Sequence, residues 1–215
     1  MKIMIIGATG MAGSELVNEA LNRGHEVTAL ARSAEKLAKL PTSPALTTAV
    51  RDAFSLTAAD LQAVDVVIDA FATAADTAYL HVDLAAHLVH LLRGTTTPRL
   101  FFILGAGSLH TGDDNHLFVH DIEKDPQAAN FIPIPKSQLK ELNFLNDVDN
   151  VNWVGISPAA NFHPGAAVPA ILGHNNLLFN DQKESGTSTG TMAVTILDEL
   201  ETPKHHQERF TVADR

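Results

Sequence analysis

The apolar run Lys2-Ile3-Met4-Ile5-Ile6 leads directly into Gly7-Ala8-Thr9-Gly10-Met11-Ala12-Gly13, which opens a helix-forming stretch extending to Arg23. The three glycines have separate expected uses. Gly7 supplies the tight turn, Gly10 lets backbone approach a pyrophosphate, and Gly13 lets the helix lie close to the sheet, with the helix N-terminus facing the anion. The spacing is GxxGxxG, not the GxGxxG of the usual dehydrogenase fingerprint. Position between strand and helix makes the motif more than a pattern match, and Thr9 and Met11 inside it join Gly7, Gly10 and Gly13 as expected cofactor contacts.

Outward from this junction, short aliphatic runs alternate with longer Ala- and Leu-rich stretches, the pattern of a parallel sheet with crossover helices. Strands are predicted at Lys2 to Ile6, Glu26 to Leu30, Leu46 to Val50, Val64 to Asp69 and Leu100 to Leu104. Helices are predicted at Met11 to Arg23, Ala34 to Leu40, Ala58 to Ala63 and Ala78 to Arg93. Residues 105 to 135 read as an irregular active-site loop region. Beyond it, Lys136 to Asn146 reads as a helix, Asn152 to Ile156 as a strand, Thr191 to Leu200 as a helix and Arg209 to Val212 as a last strand. The fold class is therefore α/β: a Rossmann-type, doubly wound, mostly parallel sheet flanked by helices. A small C-terminal extension grows from the same domain, so residues 1–215 form one expected NAD(P)-binding unit.

Composition narrows the chemistry. The 215 residues hold no Cys, which excludes disulfides, thiolate metal sites and cysteine nucleophiles. A formal charge of −10 without a visible basic patch argues against nucleic acid as a partner. The N-terminal run is too short for a signal peptide, and no apolar run approaches the roughly 20 residues of a spanning helix, so a cytoplasmic location without membrane association is expected. Eleven His raise the question of a metal. Asp83, His87 and His90 share one helical stripe, and His116 and His120 lie four apart, but no HExxH and no second carboxylate cluster accompanies them; no metal is expected.

The end of the second strand discriminates between the two nicotinamide cofactors. Ala29-Leu30-Ala31-Arg32-Ser33 has no carboxylate to hold a ribose 2′-hydroxyl and ends in a cation and a hydroxyl, which favours NADP(H) over NAD(H). Asp52, after the third strand, is either a contact for the adenine amino group or a strand-end turn residue.

Gly7-Ala-Thr-Gly10-Met-Ala-Gly13, Ala31-Arg32-Ser33, Gly105-Ala-Gly-Ser108-Leu109, Asn152-Trp-Val-Gly-Ile-Ser-Pro158-Ala-Ala and the tail from Leu197 to Thr211 together resemble the atypical short-chain dehydrogenase/reductases of the NADH-flavin reductase family. These are relatives of the NmrA-like proteins and of the flavin reductase that also reduces biliverdin. The resemblance spans nearly the whole chain. It implies a cofactor lying across the carboxyl edge of the sheet, with Gly105 among its contacts. It also implies that Ser108, after the fifth strand, hydrogen-bonds a substrate oxygen beside the nicotinamide, the one expected catalytic residue. The family's Tyr-x-x-x-Lys acid is missing: the single Tyr, Tyr79, is followed four positions on by Asp83, and Lys136 and Lys140 have no phenol before them.

If the fold holds, Phe71 after the fourth strand and Pro158 and Phe162 after the sixth lie near the nicotinamide and can line a slot for a flat ring. His110 and Asn161 are the polar candidates for substrate contact there, with His163 beside them. A missing phenol favours a planar acceptor such as a flavin, biliverdin or a quinone. Hydride addition to a flavin ring leaves a delocalised anion that solvent can protonate, whereas a simple ketone leaves an alkoxide in need of an acid. Flavin would then be a substrate. The alternative is an NmrA-like regulatory protein that senses NADP and binds a protein partner without turnover.

Overall fold

The structure, a computed structural model, describes all 215 residues. In chain order its elements are β1 (Lys2–Ile6), α1 (Met11–Asn22), β2 (Glu26–Ala31), α2 (Ala34–Leu37), β3 (Leu46–Val50), α3 (Ala58–Gln62), β4 (Val66–Asp69), α4 (Leu80–Leu92) and β5 (Thr95–Ile103). There follow β6 (His110–Thr111), β7 (His116–Leu117), α5 (Val119–Lys124), α6 (Pro133–Asn146), β8 (Val151–Pro158), β9 (Asn161–His163), β10 (Ala170–Gly173), β11 (Gly186–Ser188), α7 (Thr189–Glu201) and β12 (Arg209–Asp214). Eight strands form the central sheet in the order β3-β2-β1-β4-β5-β8-β12-β10. All neighbours are parallel except β10, which runs antiparallel to β12.

This is the doubly wound α/β arrangement. Chain order reverses between β1 and β4, and the crevice at their carboxyl ends is where such sheets bind ligands. The inner strands are buried on both faces, as crossover helices require. Alternation along β1 sends Ile3 and Ile5 to a core completed by Leu16, Val17 and Ala20 of α1 and Met192 and Ile196 of α7. Met4 and Ile6 point to the opposite core, with Leu84 and Leu88 of α4, Leu145 of α6 and Trp153. No helix is long and apolar enough to cross a membrane.

Most expected elements are present with ends moved by a few residues. The fifth strand begins earlier than predicted, at Thr95, because its first residues precede Pro98, which interrupts the ladder and argues locally against a strand. The stretch 105–135 is not all loop. It contains the small β6–β7 hairpin, the six-residue α5 and a 3₁₀ turn at Pro126–Asn130. These pieces are too short to show an amphipathic period, and Phe118, Ile122 and Phe131 from them border the cavity at the carboxyl ends of the strands.

Candidate active site

The site begins at the turn after β1. Gly7 has φ 74°, and a Cβ there would lie 2.4 Å from the Ala70 carbonyl oxygen at the end of β4, so only glycine is accommodated. Its N–H and that of Ala8 donate to Leu30 O, at 3.0 and 3.2 Å. Gly13 packs α1 onto the turn, since a Cβ there would come within 2.2 Å of Gly7 O. Gly10 differs from both: its φ of −79° and ψ of 176° suit any residue, and a Cβ would meet one atom alone, Gly7 O at 3.2 Å. The remaining space above Gly10 opens into the cleft. Gly10 also caps α1 without a side chain, and no acidic residue occupies the first turn. A helix N-terminus left uncapped and facing open space has the donors and the partial charge for a pyrophosphate.

On one side of Gly10 lies a cavity of about 430 Å³ whose wall includes Thr9, Arg32, Lys36, Asp52, Phe54 and Phe71. Arg32 and Lys36 are both exposed and both border this cavity. Ser33 lies between them in the chain, but its Oγ accepts the Lys36 N–H at 3.2 Å as the N-cap of α2 and is not part of the cavity wall. Its part is to fix the helix that presents Lys36. The sequence offers one signal for Lys36, its spacing of about one helical turn from Arg32. Asp52 accepts the Phe54 N–H at 3.0 Å, so the turn reading is fulfilled, while the residue still borders the cavity. Arg51 is held by Asp60 at 2.8 Å and by Ser55, which commits its charge elsewhere.

On the other side of Gly10 is a second cavity of about 350 Å³, sharing Gly10, Ala70, Phe71 and Ala72 with the first. The two are therefore one cleft with a cationic end and an apolar end. Pro158, Phe162, Phe118, Ile134 and Pro135 line the apolar end, and Phe131 stands half exposed at its rim. Gly105 packs against α6, where a Cβ would fall 2.2 Å from Gln138 Oε1, the mobile end of a side chain that also faces the cavity.

Three expected substrate contacts are placed differently. Ser108 is buried; its Oγ donates to Gly105 O at 3.0 Å and accepts from Arg209 Nη1 at 3.0 Å, and it is absent from the cavity wall. The 3₁₀ turn Ala106–Ser108 carries the hydroxyl behind the strand end, where Arg209 also donates to Ser157 Oγ at 3.0 Å and Asn175 Oδ1 at 3.1 Å. Burial pushes the Arg209 guanidinium down to about 10, still a cation at neutral pH. His110 is on that same rear side, with Nδ1 2.9 Å from Asn115 O. Asn161 is exposed while Phe162 faces the cavity, as the alternation of β9 dictates. His163 Nδ1 donates to Pro164 O at 3.0 Å.

The other candidates are also accounted for. Tyr79 is 58% exposed. Lys136 pairs with Glu123. His87 Nε2 donates to Leu56 O at 3.1 Å, and His116 sits between Asp114 and Asp121. No three His, Asp or Glu side chains are grouped to hold a metal ion.

A cluster that the sequence did not disclose underlies the apolar cavity. Asp69 ends β4, His81 lies in the first turn of α4, and Glu141 is on the inner face of α6; all three are buried. His81 Nδ1 is 3.9 Å from Glu141 Oε2, His81 borders the cavity, and both His81 Nε2 and Glu141 Oε2 lack any partner in the protein. Burial lowers the His81 imidazole to about 4 and keeps it neutral. Burial, reinforced by the charge of Asp69, raises Glu141 well above the carboxylate range. Asp69 itself is pushed up to about 6 by burial, opposed by the Phe71 N–H that it accepts at 2.9 Å.

Fold and cleft together define a Rossmann-type dinucleotide-binding protein. The chain belongs to the NAD(P)H-binding family, whose model matches residues 7–203. A solved protein from Lactobacillus casei is 39% identical, with a TM-score of 0.93 over 100% of this chain and 99% of that one. A "putative NADH-flavin reductase" from Streptococcus pneumoniae TIGR4 is 35% identical, with a TM-score of 0.88 and full coverage, 100% of each chain. The uncharacterised protein YwnB of Bacillus subtilis strain 168 is 36% identical over 214 residues, 99% of this chain and 98% of that one. The likeness to a protein described as an NADH-flavin reductase thus extends over the whole chain.

Proposed function

We propose that this protein is an NAD(P)H-dependent reductase that prefers NADPH and passes hydride to a small planar acceptor such as a flavin, biliverdin or a quinone. The observation that carries this reading is the two-ended cleft. Arg32 and Lys36 stand at the end where a 2′-phosphate would lie, and an apolar cavity lined by aromatic side chains opens at the other, with the uncapped helix N-terminus at Gly10 between them. In this reading Gly7, Thr9, Gly10, Met11 and Gly13 hold the pyrophosphate, Asp52 borders the adenine, and Phe71, Gly105 and Pro158 flank the nicotinamide. Phe162 and Phe118 sandwich the acceptor, so that binding in the right face-to-face geometry supplies much of the rate. The likeness to the Streptococcus protein supports a flavin among the acceptors.

The test is to mix the protein with NADPH and a panel of FMN, riboflavin, biliverdin and quinones and to follow loss of reduced nicotinamide. Turnover with any member is the expected result. Tight NADPH binding without turnover would instead assign the cleft to cofactor sensing and leave a protein partner to be found.

A further inference from the structure

Resting on the reductase reading, we propose that His81, backed by Glu141, is the acid that protonates the reduced acceptor, in place of the absent Tyr-x-x-x-Lys. Three observations converge. His81 borders the cavity that would hold the acceptor, and its Nε2, closed off from solvent in the free protein, has no partner there. A buried, unpartnered polar atom costs stability and calls for an explanation, and a catalytic role is one that such atoms serve. Glu141 lies behind the ring, 3.9 Å from Nδ1, within reach of a hydrogen bond after a shift of under about 1 Å. Glu141 is itself only 2% exposed, and no cation faces it: the charged group acting on it is Asp69 of β4. A carboxyl in that setting keeps its proton at neutral pH.

The step balances without another reactant. When bound, the reduced nicotinamide supplies a hydride, leaving the acceptor as an anion. The His81 Nε2–H bond then breaks towards that anion, Nδ1 takes the proton of the Glu141 carboxyl, and the imidazole ends neutral with its tautomer exchanged. Glu141 is left as the carboxylate and regains a proton from solvent when product leaves. Asp69 acts through Glu141 by favouring the protonated carboxyl. The consequence for substrate class is specific: the site is equipped for acceptors whose anion needs an acid, such as a quinone or other conjugated carbonyl, as well as for flavins.

The sign of the pH dependence follows. His81 must be neutral to accept at Nδ1, and Glu141 must be protonated to donate. Turnover therefore rises with pH through the low range in which His81 loses its proton, and falls where Glu141 ionises.

The experiment compares wild type with Glu141→Gln, His81→Phe and Asp69→Asn, each checked for fold by circular dichroism and for NADPH affinity by titration. With a quinone acceptor, Glu141→Gln should lower kcat about 100-fold while KM and NADPH affinity change by no more than about twofold, and the falling alkaline limb should vanish. His81→Phe should lose a similar factor, and the double variant no more than the worse single one. Asp69→Asn keeps the acceptor for the Phe71 N–H and should move the alkaline limb to lower pH. Independently of activity, infrared difference spectra of the NADPH complex at pH 7 should show a protonated carboxyl band that Glu141→Gln removes. Wild-type turnover with a quinone that Glu141→Gln or His81→Phe leaves unchanged, or an ionised Glu141 at pH 7, overturns the proposal and leaves the reductase reading standing. A wild type that binds NADPH and reduces nothing removes both.

Discussion

Replacing Gly10 by Val tests where the cofactor phosphates sit. Gly10 has backbone angles that any residue adopts, and a Cβ meets a single atom at 3.2 Å, so the turn can accept a side chain with a shift of a few tenths of an ångström. The two methyl groups of Val, however, project into the space common to both halves of the cleft. They would keep a pyrophosphate from the first-turn N–H groups of α1. If two bonds to the charged oxygens are lost at roughly 1.5–3 kcal/mol each, affinity falls by about 3–6 kcal/mol, or 10²- to 10⁴-fold. Isothermal titration with NADPH measures the loss, and circular dichroism with thermal melting checks the fold. Gly13→Ala is the contrasting variant. Its Cβ would collide with Gly7 O at 2.2 Å and Ala8 Cα at 2.9 Å, so the expected effect is a lower Tm. A folded Gly10→Val that binds NADPH within about threefold of wild type would show that the helix N-terminus does not carry the phosphates.

Cofactor preference should follow the two exposed cations: Arg32→Ala and Lys36→Ala should each weaken NADPH by about tenfold and leave NADH unchanged, as titration of both cofactors would show. Equal NADPH and NADH affinities in the wild type would remove the assignment. Ser108→Ala should lower Tm by a few degrees, through the loss of about 1 kcal/mol from its bonds to Gly105 and Arg209, while turnover stays within about twofold; a collapse in rate would return Ser108 to the acceptor. Glu199 ties β5 to α7 and the tail, pairing with Arg99 at 2.8 Å and accepting from the Lys204 and His205 N–H groups. Burial works to raise it, but these bonds prevail and hold it below the ordinary Glu range, so its contribution is present above that range and lost as pH falls through its folded value. Glu199→Gln should cost about 3–5 kcal/mol, and Tm measured at pH 7 and pH 3 should differ less in the variant than in the wild type.

What sequence alone determined about this protein is local in origin. The glycine motif could be read because each glycine answers to atoms within the same turn or its immediate neighbours, and the strands could be read because a sheet buried on both faces demands continuous apolar runs. Arg32 was legible for the same reason: it directly follows the end of β2 at the cavity wall. Ser108, His110 and Asn161 lie in the segments that follow β5 and β8, and the directions of their side chains were set by a 3₁₀ turn, a hairpin and a three-residue strand too short to leave a period. The buried trio lay further out of reach. Asp69, His81 and Glu141 come from β4, α4 and α6, and their meeting depends on how α4 packs against α6 over the sheet. Glu141 left one faint sign, a carboxylate beside Leu142 and Leu145 on the apolar face of its helix. Whether such a residue is solvated, ion-paired or kept protonated depends on which charges surround it in three dimensions. That environment, and with it the chemistry available at the acceptor end of the cleft, was decided by the tertiary structure.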